Sequence, residues 1–465
     1  MSKRPVVAIV GGGLAGLSAA WALSEFPVDV KLLEARSVVG GRAGSYTDST
    51  NGGEVDYCQH VAMGCCTNFL WWMQETDLLQ HFQQASALTF LAADVPSSIL
   101  QSSRWLPAPL HSLPAFARAH FLSRAQKIEI ARGLWRLMRR SSRSRETTSM
   151  QQWLRTAGQS EETIERFWEI IIVSALGEST QRVSVDAARK VLVDGFLGHR
   201  EAGDVWIPQC SLSDLFGRKL ADKLLQRGVS VECGSPVKNL ECNHNTCVDI
   251  QTSESSIQAD QAIIAVPWHG LSRLLPPQSN ILPAAKLQAI HALPSSPISG
   301  VHLWFDRAIT NKQHCVLVGG LAQWLFRPAF GNESEHYYQV VISASRDVRA
   351  MPRDKCIEQI LAEIETHFPD ATNAKLLRSK TITDRQAVFS MRPEIETIRP
   401  HVQTQHPSVQ LAGDYTATDW PATMEGAVLS GFRAADQVLQ GLGLGRFAEQ
   451  PPLPRNLLTK WVIRE

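Results

Sequence analysis

Apolar positions along this chain change their period several times, and the changes divide it into segments. Val6 to Val10 is a continuous apolar run of strand length, the pattern of a strand buried on both faces of a parallel sheet. Leu17 to Leu23 follows as a helix, and Val28 to Leu33 as a second apolar strand. Residues 85–200 read as mostly helical, with Ser123 to Met138 the clearest amphipathic run and the Ser/Arg-rich Arg139 to Arg145 a loop. Near Val205 strand and helix alternate again. A helix is predicted over Leu212 to Gln226, then strands over Val229 to Cys233, Pro236 to Cys242, Cys247 to Gln251 and Ala259 to Val266. Residues 280–400 mix strands (Gly300 to Phe305, Tyr337 to Ala344) with a helix near Cys356 to His367. Ser408 to Leu439 reads as strand, Gly-Asp turn and helix, and Gly441 to Gly445 as the exit of that helix.

At 465 residues the chain is too long for one core. The pattern predicts an α/β protein with a discontinuous Rossmann-like nucleotide-binding domain built from residues 1–80, 205–275 and 405–445. A helical insertion (85–200) and an interleaved α+β substrate domain (280–400) complete it.

The chemistry starts at the first strand's end. Gly11, Gly13 and Gly16 have the spacing of a dinucleotide fingerprint: a tight turn, a backbone approach to a pyrophosphate, and a close helix–strand contact. Glu34 ends the second strand about 20 residues beyond, where an acid accepts from ribose hydroxyls. Gly40-Gly41-Arg42 is an element that plain dehydrogenases do not need, and Arg42 suits phosphate because its planar fork bonds bidentately. A surface turn with a solvated arginine is the plainer alternative. Near the other end, Leu411 to Val428 carries Gly413, Asp414, Met424 and Glu425 and reads as a second nucleotide-contacting segment. Two such segments nearly a chain length apart point to a flavoprotein holding FAD. Val237, where the chain returns to the nucleotide domain, joins the cofactor-contact candidates.

A net charge of +1 gives no electrostatic case for nucleic acid. Nine unevenly spaced cysteines without a secretory signal suggest a reduced, cytoplasmic setting. Cys58, His60, Cys65 and Cys66 lie close together but match no zinc spacing, so no metal is expected. No window approaches a membrane span. Residues 104–145, however, interleave Trp105, Leu106, Phe116, Phe121, Leu122 and Trp135 with many arginines, a pattern of peripheral membrane contact. A helix with a solvated basic face is the alternative.

The Gly40-Gly41-Arg42 element resembles that of the amine oxidase and phytoene desaturase flavoproteins. Asp56-Tyr-Cys-Gln-His60 through Asn68, Leu106-Pro-Ala-Pro-Leu-His111, Asp384 to Phe389, Arg392-Pro393 and Pro421 to Gly431 are similar to the squalene-associated FAD proteins, the hydroxysqualene dehydroxylases. Two departures stand out: Tyr57-Cys58 where that family has Asn-Gly, and Asp419 where it has Gly.

The resemblance implies reduction of hydroxysqualene, a C30 isoprenoid alcohol, to squalene by hydride from reduced FAD. It implies that Asp414 bonds the ribityl or phosphate side of FAD and that the amides near Met424 face the flavin pyrimidine ring. No cysteine follows Cys356, so the FAD is expected to be non-covalent. His60 is the candidate proton donor, with Asp56 or Gln59 orienting it; a structural histidine is the rival reading. Glu425 either contacts flavin or complements a helix dipole. Arg385 is a candidate to hold substrate or flavin, and Tyr415 and Trp420 to flank it, with an ion pair and core packing as the plainer readings. No second dinucleotide site is evident, which leaves the electron donor open. A carotenoid desaturase or isomerase using oxidised flavin, and a non-catalytic prenyl-lipid escort, remain as alternatives.

Overall fold

A computed structural model describes residues 3–50, 52–141, 147–243, 247–275, 279–330 and 336–464. Five parallel strands form the nucleotide sheet, in the order Ser230–Glu232, Asp29–Leu33, Val6–Val10, Gln261–Ile264, Val409–Leu411. The central strand Val6–Val10 is apolar on both faces because both are covered: Val7 and Ile9 share a core with the helices Leu14–Leu23 and Met424–Gly441, and Ala8 and Val10 share one with Leu240, Val248, Ile250 and Ile257 of a three-stranded antiparallel sheet. The helix Leu14–Leu23 is buried along its whole length. It packs on the helix Met424–Gly441, and Ser18 Oγ donates across that contact to the Val428 carbonyl at 3.1 Å. Chain start and chain end therefore meet beneath one sheet.

A second, seven-stranded sheet is ordered Leu376–Phe389, Ser295–Phe305, His336–Ser343, Trp324–Phe326, His314–Val318, Ala87–Ala92, Ser98–Gln101. The helix Arg353–His367 lays Cys356, Ile357, Ile360 and Ile364 against it. The fold is α/β, with a Rossmann-like layer joined to a second, mixed domain.

Residues 85–200 are not helical from their start. Ala87–Ala92 pairs in parallel with His314–Val318, and Phe82–Ala85 pairs with Val205–Pro208. Each of these two pairings joins strands of only a few residues that lie far apart in the chain, so no local period marks them. The strand predicted over Pro236 to Cys242 runs instead from Asn239 to Asn243. The helix Arg124–Arg139 ends at the first residue of the predicted Arg139 to Arg145 loop, of which residues 142–145 lie outside the described residues. It opens with a capping box, in which Ser123 Oγ accepts from Gln126 N and the Gln126 side chain accepts from Ser123 N. No helix among the described residues is long and apolar enough to cross a membrane.

Candidate active site

Gly11 turns with φ +110°, and a Cβ there would lie 2.7 Å from the Ala265 carbonyl oxygen; a Cβ on Gly16 would collide with the Gly11 carbonyl. Gly13 differs, since an added Cβ meets nothing of the chain within 4 Å. The turn is thus closed at Gly11 and Gly16 and open at Gly13, the cradle a pyrophosphate needs at a helix N-terminus. The Glu34 carboxylate, buried, reaches back to accept from Gly12 N at 2.6 Å and Arg36 N at 2.8 Å. It therefore braces the turn. Val237 is half-buried in the same corner, two residues beyond Ser235, whose amide donates to the Glu34 carbonyl at 2.9 Å.

The Gly40 amide donates to the Gly12 carbonyl at 2.7 Å and places Gly41 beside Gly13. Arg42 then crosses to the C-terminal segment. One guanidinium nitrogen donates to Asp414 Oδ1 at 2.6 Å, another to the Ala387 carbonyl at 2.8 Å, and the group lies 5.5 Å from the Trp268 ring centre. Burial works against its charge, yet the Asp414 carboxylate holds the Arg42 guanidinium above its ordinary value. Asp414 is buried, and the neighbouring Gly413 amide donates to Ser430 Oγ at 2.7 Å. Arg399, also buried, donates to the carbonyls of Asp414 and Thr416 and to Thr418 Oγ1, so it fixes the course of this loop. Nothing in the sequence around Arg399 singled it out, because its partners lie in a loop that only folding brings to it.

At the helix Met424–Gly441, Thr423 Oγ1 accepts from Gly426 N at 3.1 Å, leaving the amides of Met424 and Glu425 as first-turn donors. The Glu425 side chain is engaged within the chain. Oε1 accepts from Asn68 N (3.1 Å) and Nδ2 (2.9 Å), and Oε2 from Phe69 N (2.8 Å). It holds the start of a different helix, Thr67–Glu75, against its own. Burial raises its carboxyl above the usual range, with the Asn68 and Phe69 donors opposing.

The Asp56–His60 segment is less unified than its sequence suggested. Asp56 does not orient His60. Its Oδ1 accepts from Ser45 Oγ (2.6 Å) and Leu212 N (2.9 Å), and its buried Oδ2 has no partner. Burial pushes that carboxyl up to about 7. Gln59 Nε2 donates to the His60 carbonyl at 3.1 Å, away from the imidazole. The imidazole is oriented by backbone: Nδ1 donates to the Cys58 carbonyl at 2.9 Å. Burial holds His60 below the ordinary histidine value, with the Cys58 carbonyl and Asp384 opposing and Arg42 adding to the effect. Its neutral form therefore carries a proton on Nδ1 and a lone pair on Nε2.

Arg385 stands exposed near the end of the strand Leu376–Phe389. Tyr415 is fully buried with no partner for its hydroxyl, and Trp420 is half-buried with Lys190 Nζ 4.7 Å from its ring centre. Among the described residues no group of three or more His, Cys, Asp or Glu is placed to hold a metal.

Residues 14–439 match the family model described as flavin containing amine oxidoreductase. The chain is 25% identical to a 15-cis-phytoene desaturase of Arabidopsis thaliana, over 94% of this chain and 81% of that protein. It is equally identical to a probable zeta-carotene desaturase of Synechococcus elongatus, over 93% and 98%. Among solved structures, cyclohexylamine oxidase from Brevibacterium oxydans superposes with a TM-score of 0.69 at 17% identity, covering 95% of this chain and all of that one. Putrescine oxidase superposes with 0.68 at 16%, covering 94% and 99%.

Proposed function

We propose that this chain, which belongs to the flavin-containing amine oxidoreductase family and is an FAD-dependent oxidoreductase, reduces the allylic alcohol hydroxysqualene to squalene. The open Gly13 cradle, the Arg42–Asp414 bridge and the free amides of Met424 and Glu425 suit FAD as its cofactor. Reduced FAD supplies the hydride. The chain's own part is to exclude water, orient the alcohol and deliver one proton. In the reaction the allylic C–O bond breaks, the oxygen leaves as water with a proton from His60 Nε2, and a C–H bond forms at the carbon.

The observation that carries this reading is the His60 imidazole: it is fixed through Nδ1 to the Cys58 carbonyl, with no hydrogen bond at Nε2 among the described residues. The resemblance of Asp56 to Asn68 and of Leu106 to His111 supports the substrate. Only the doubly protonated ring can give a proton from Nε2. Its value is depressed, so turnover rises as pH falls through and below 6.5.

The test is anaerobic. Reduced holoenzyme is mixed with hydroxysqualene, and flavin reoxidation is followed alongside product. Reoxidation matched by squalene is expected. His60→Ala should slow it by about 10²–10⁴-fold with the flavin spectrum intact. The curated relatives favour a second reading, desaturation of a carotenoid by oxidised flavin. Hydroxysqualene recovered intact, with phytoene bleaching the oxidised flavin, would replace the first reading by the second.

A further inference from the structure

Several of the most exposed large apolar side chains belong to three elements that are bonded to one another. Trp105 is 93% exposed, Leu457 87% and Trp461 74%. Leu113, Ile128 and Trp135 are exposed as well. The helix Arg124–Arg139 carries Arg124, Ile128, Arg132, Trp135 and Arg136 outward at helical spacing, while Ile130, Leu137 and Met138 are buried. A short terminal helix, Leu457–Val462, does the same: Leu457 and Trp461 stand one turn apart with Lys460 beside them, and Val462 and Ile463 are buried.

Asn456 Nδ2 donates to the Ala108 carbonyl (2.9 Å), Arg464 N to the Met138 carbonyl (2.9 Å), and Lys127 Nζ to the Ala117 carbonyl (2.7 Å). The inner residues Leu122, Leu137, Met138, Val462 and Ile463 share one core cluster. Phe121 and Leu122, read from the sequence as part of an exposed patch, are core; Phe121 stacks on Phe90 at 5.4 Å. The terminal helix takes their place on the outside.

Charge decides what such a face fits. Between Arg104 and Arg140 the one acidic residue is Glu129, and its carboxylate is turned to Ser160 and Thr163 at 2.8 and 2.7 Å. Tryptophans among basic side chains suit the interface of an anionic bilayer: the rings enter the headgroup boundary and the cations meet lipid phosphates. We propose that the segment 104–117, the helix Arg124–Arg139 and the terminal helix Leu457–Val462 form one docking face for an anionic lipid surface. This surface does not depend on which substrate the site reduces.

The experiment uses full-length, FAD-loaded protein and phosphatidylcholine vesicles with or without phosphatidylglycerol. Sedimentation with the anionic vesicles is expected, weakening as salt rises. Trp105→Ser with Trp461→Ser should lower partitioning by roughly tenfold or more with flavin spectrum and Tm unchanged, since both side chains project into solvent. Arg132→Glu with Arg136→Glu should remove the salt-sensitive part without touching the tryptophans. Failure of the native protein to bind, or equal binding by both double variants, overturns the proposal. So does a dimer that the tryptophan variant dissociates, because the face would then belong to a second copy.

Discussion

The glycine turn and the Asp56–His60 segment both belong to the candidate site, and they work by opposite means. At Gly11 and Gly16 the requirement is that no side chain exist, because backbone occupies the space a Cβ would fill. At Asp56, Gln59 and His60 everything depends on which partner each side chain meets: Ser45 and Leu212, the His60 carbonyl, and the Cys58 carbonyl respectively. The first kind of constraint is local and survives in one sequence as spacing. The second is tertiary, and neighbouring residues with suitable chemistry can serve quite separate purposes.

The largest effect expected separates two functions within the glycine turn itself. Gly16→Ala drives a methyl into the Gly11 carbonyl, with backbone on both sides unable to give; a loss on the order of 5 kcal/mol, or failure to fold, is expected from thermal melts. Gly13→Ala adds a Cβ that meets no atom of the chain within 4 Å. Its apoprotein should melt within about 1 kcal/mol of the native one, while FAD affinity falls by about 100-fold or more, since the close backbone approach is lost. Equal loss of stability in both variants would break the distinction between a closed and an open position.

A second effect comes from buried polar groups behind the segment. Asp56 titrates near 7 in the folded state, against 3.8 for the ordinary carboxyl, because burial penalises its charge. His302, also buried, is lowered to about 3 from 6.5. The two are linked through Gln339, whose Nε2 lies 3.3 Å from the Asp56 carbonyl and 3.2 Å from His302 Nδ1. The signs oppose. Between 3.8 and about 7 the folded state holds a proton on Asp56 that the unfolded state lacks, so this group's stability contribution falls as pH rises. Between about 3 and 6.5 the unfolded state holds a proton on His302 that the folded state lacks, so that contribution rises with pH. Each slope is about 1.4 kcal/mol per pH unit. Asp56→Asn keeps an acceptor for Ser45 and Leu212 and removes one slope. Relative to the native protein its stability should climb with pH from 3.8 to about 7, measured by denaturant titration. A flat difference would mean that Asp56 is ionised in the fold throughout.

Glu425→Gln is the next smaller test. Its two oxygens accept three N–H donors, and the amide replaces one acceptor by a donor facing donors. A cost of about 1–3 kcal/mol is expected with no change in flavin absorbance. A spectral shift without a stability loss would return Glu425 to the flavin.

Glu425 also shows why the site was only partly legible. Its position in the second nucleotide segment was clear from sequence, but its partners Asn68 and Phe69 lie 357 and 356 residues away. The nucleotide sheet could be read because its strands are apolar runs bounded by motifs. The strands Ala87–Ala92 and Ser98–Gln101 could not, since they are defined by pairing with each other and with His314–Val318. The terminal helix, six residues long and mostly polar or exposed, has meaning only through its contacts with Ala108 and Met138.

The smallest effect concerns the two positions where this chain departs from the glycines of the squalene-associated family. Asp419 adopts φ +63°, the left-handed conformation that glycine takes freely and aspartate tolerates. Cys58 is not among the residues with positive φ. Asp419→Gly relieves about 1 kcal/mol of backbone strain but returns part of it through the greater freedom of glycine in the unfolded chain, so a net gain of roughly 0.5 kcal/mol is expected. Cys58→Gly has no such strain to relieve and gives up side-chain packing, so a loss of about 1–2 kcal/mol is expected. Thermal melts of the two variants should therefore move in opposite directions. If both rise, the loop at Cys58 is held under strain, and the imidazole that its carbonyl orients would be positioned by that strain instead of by an unstrained turn.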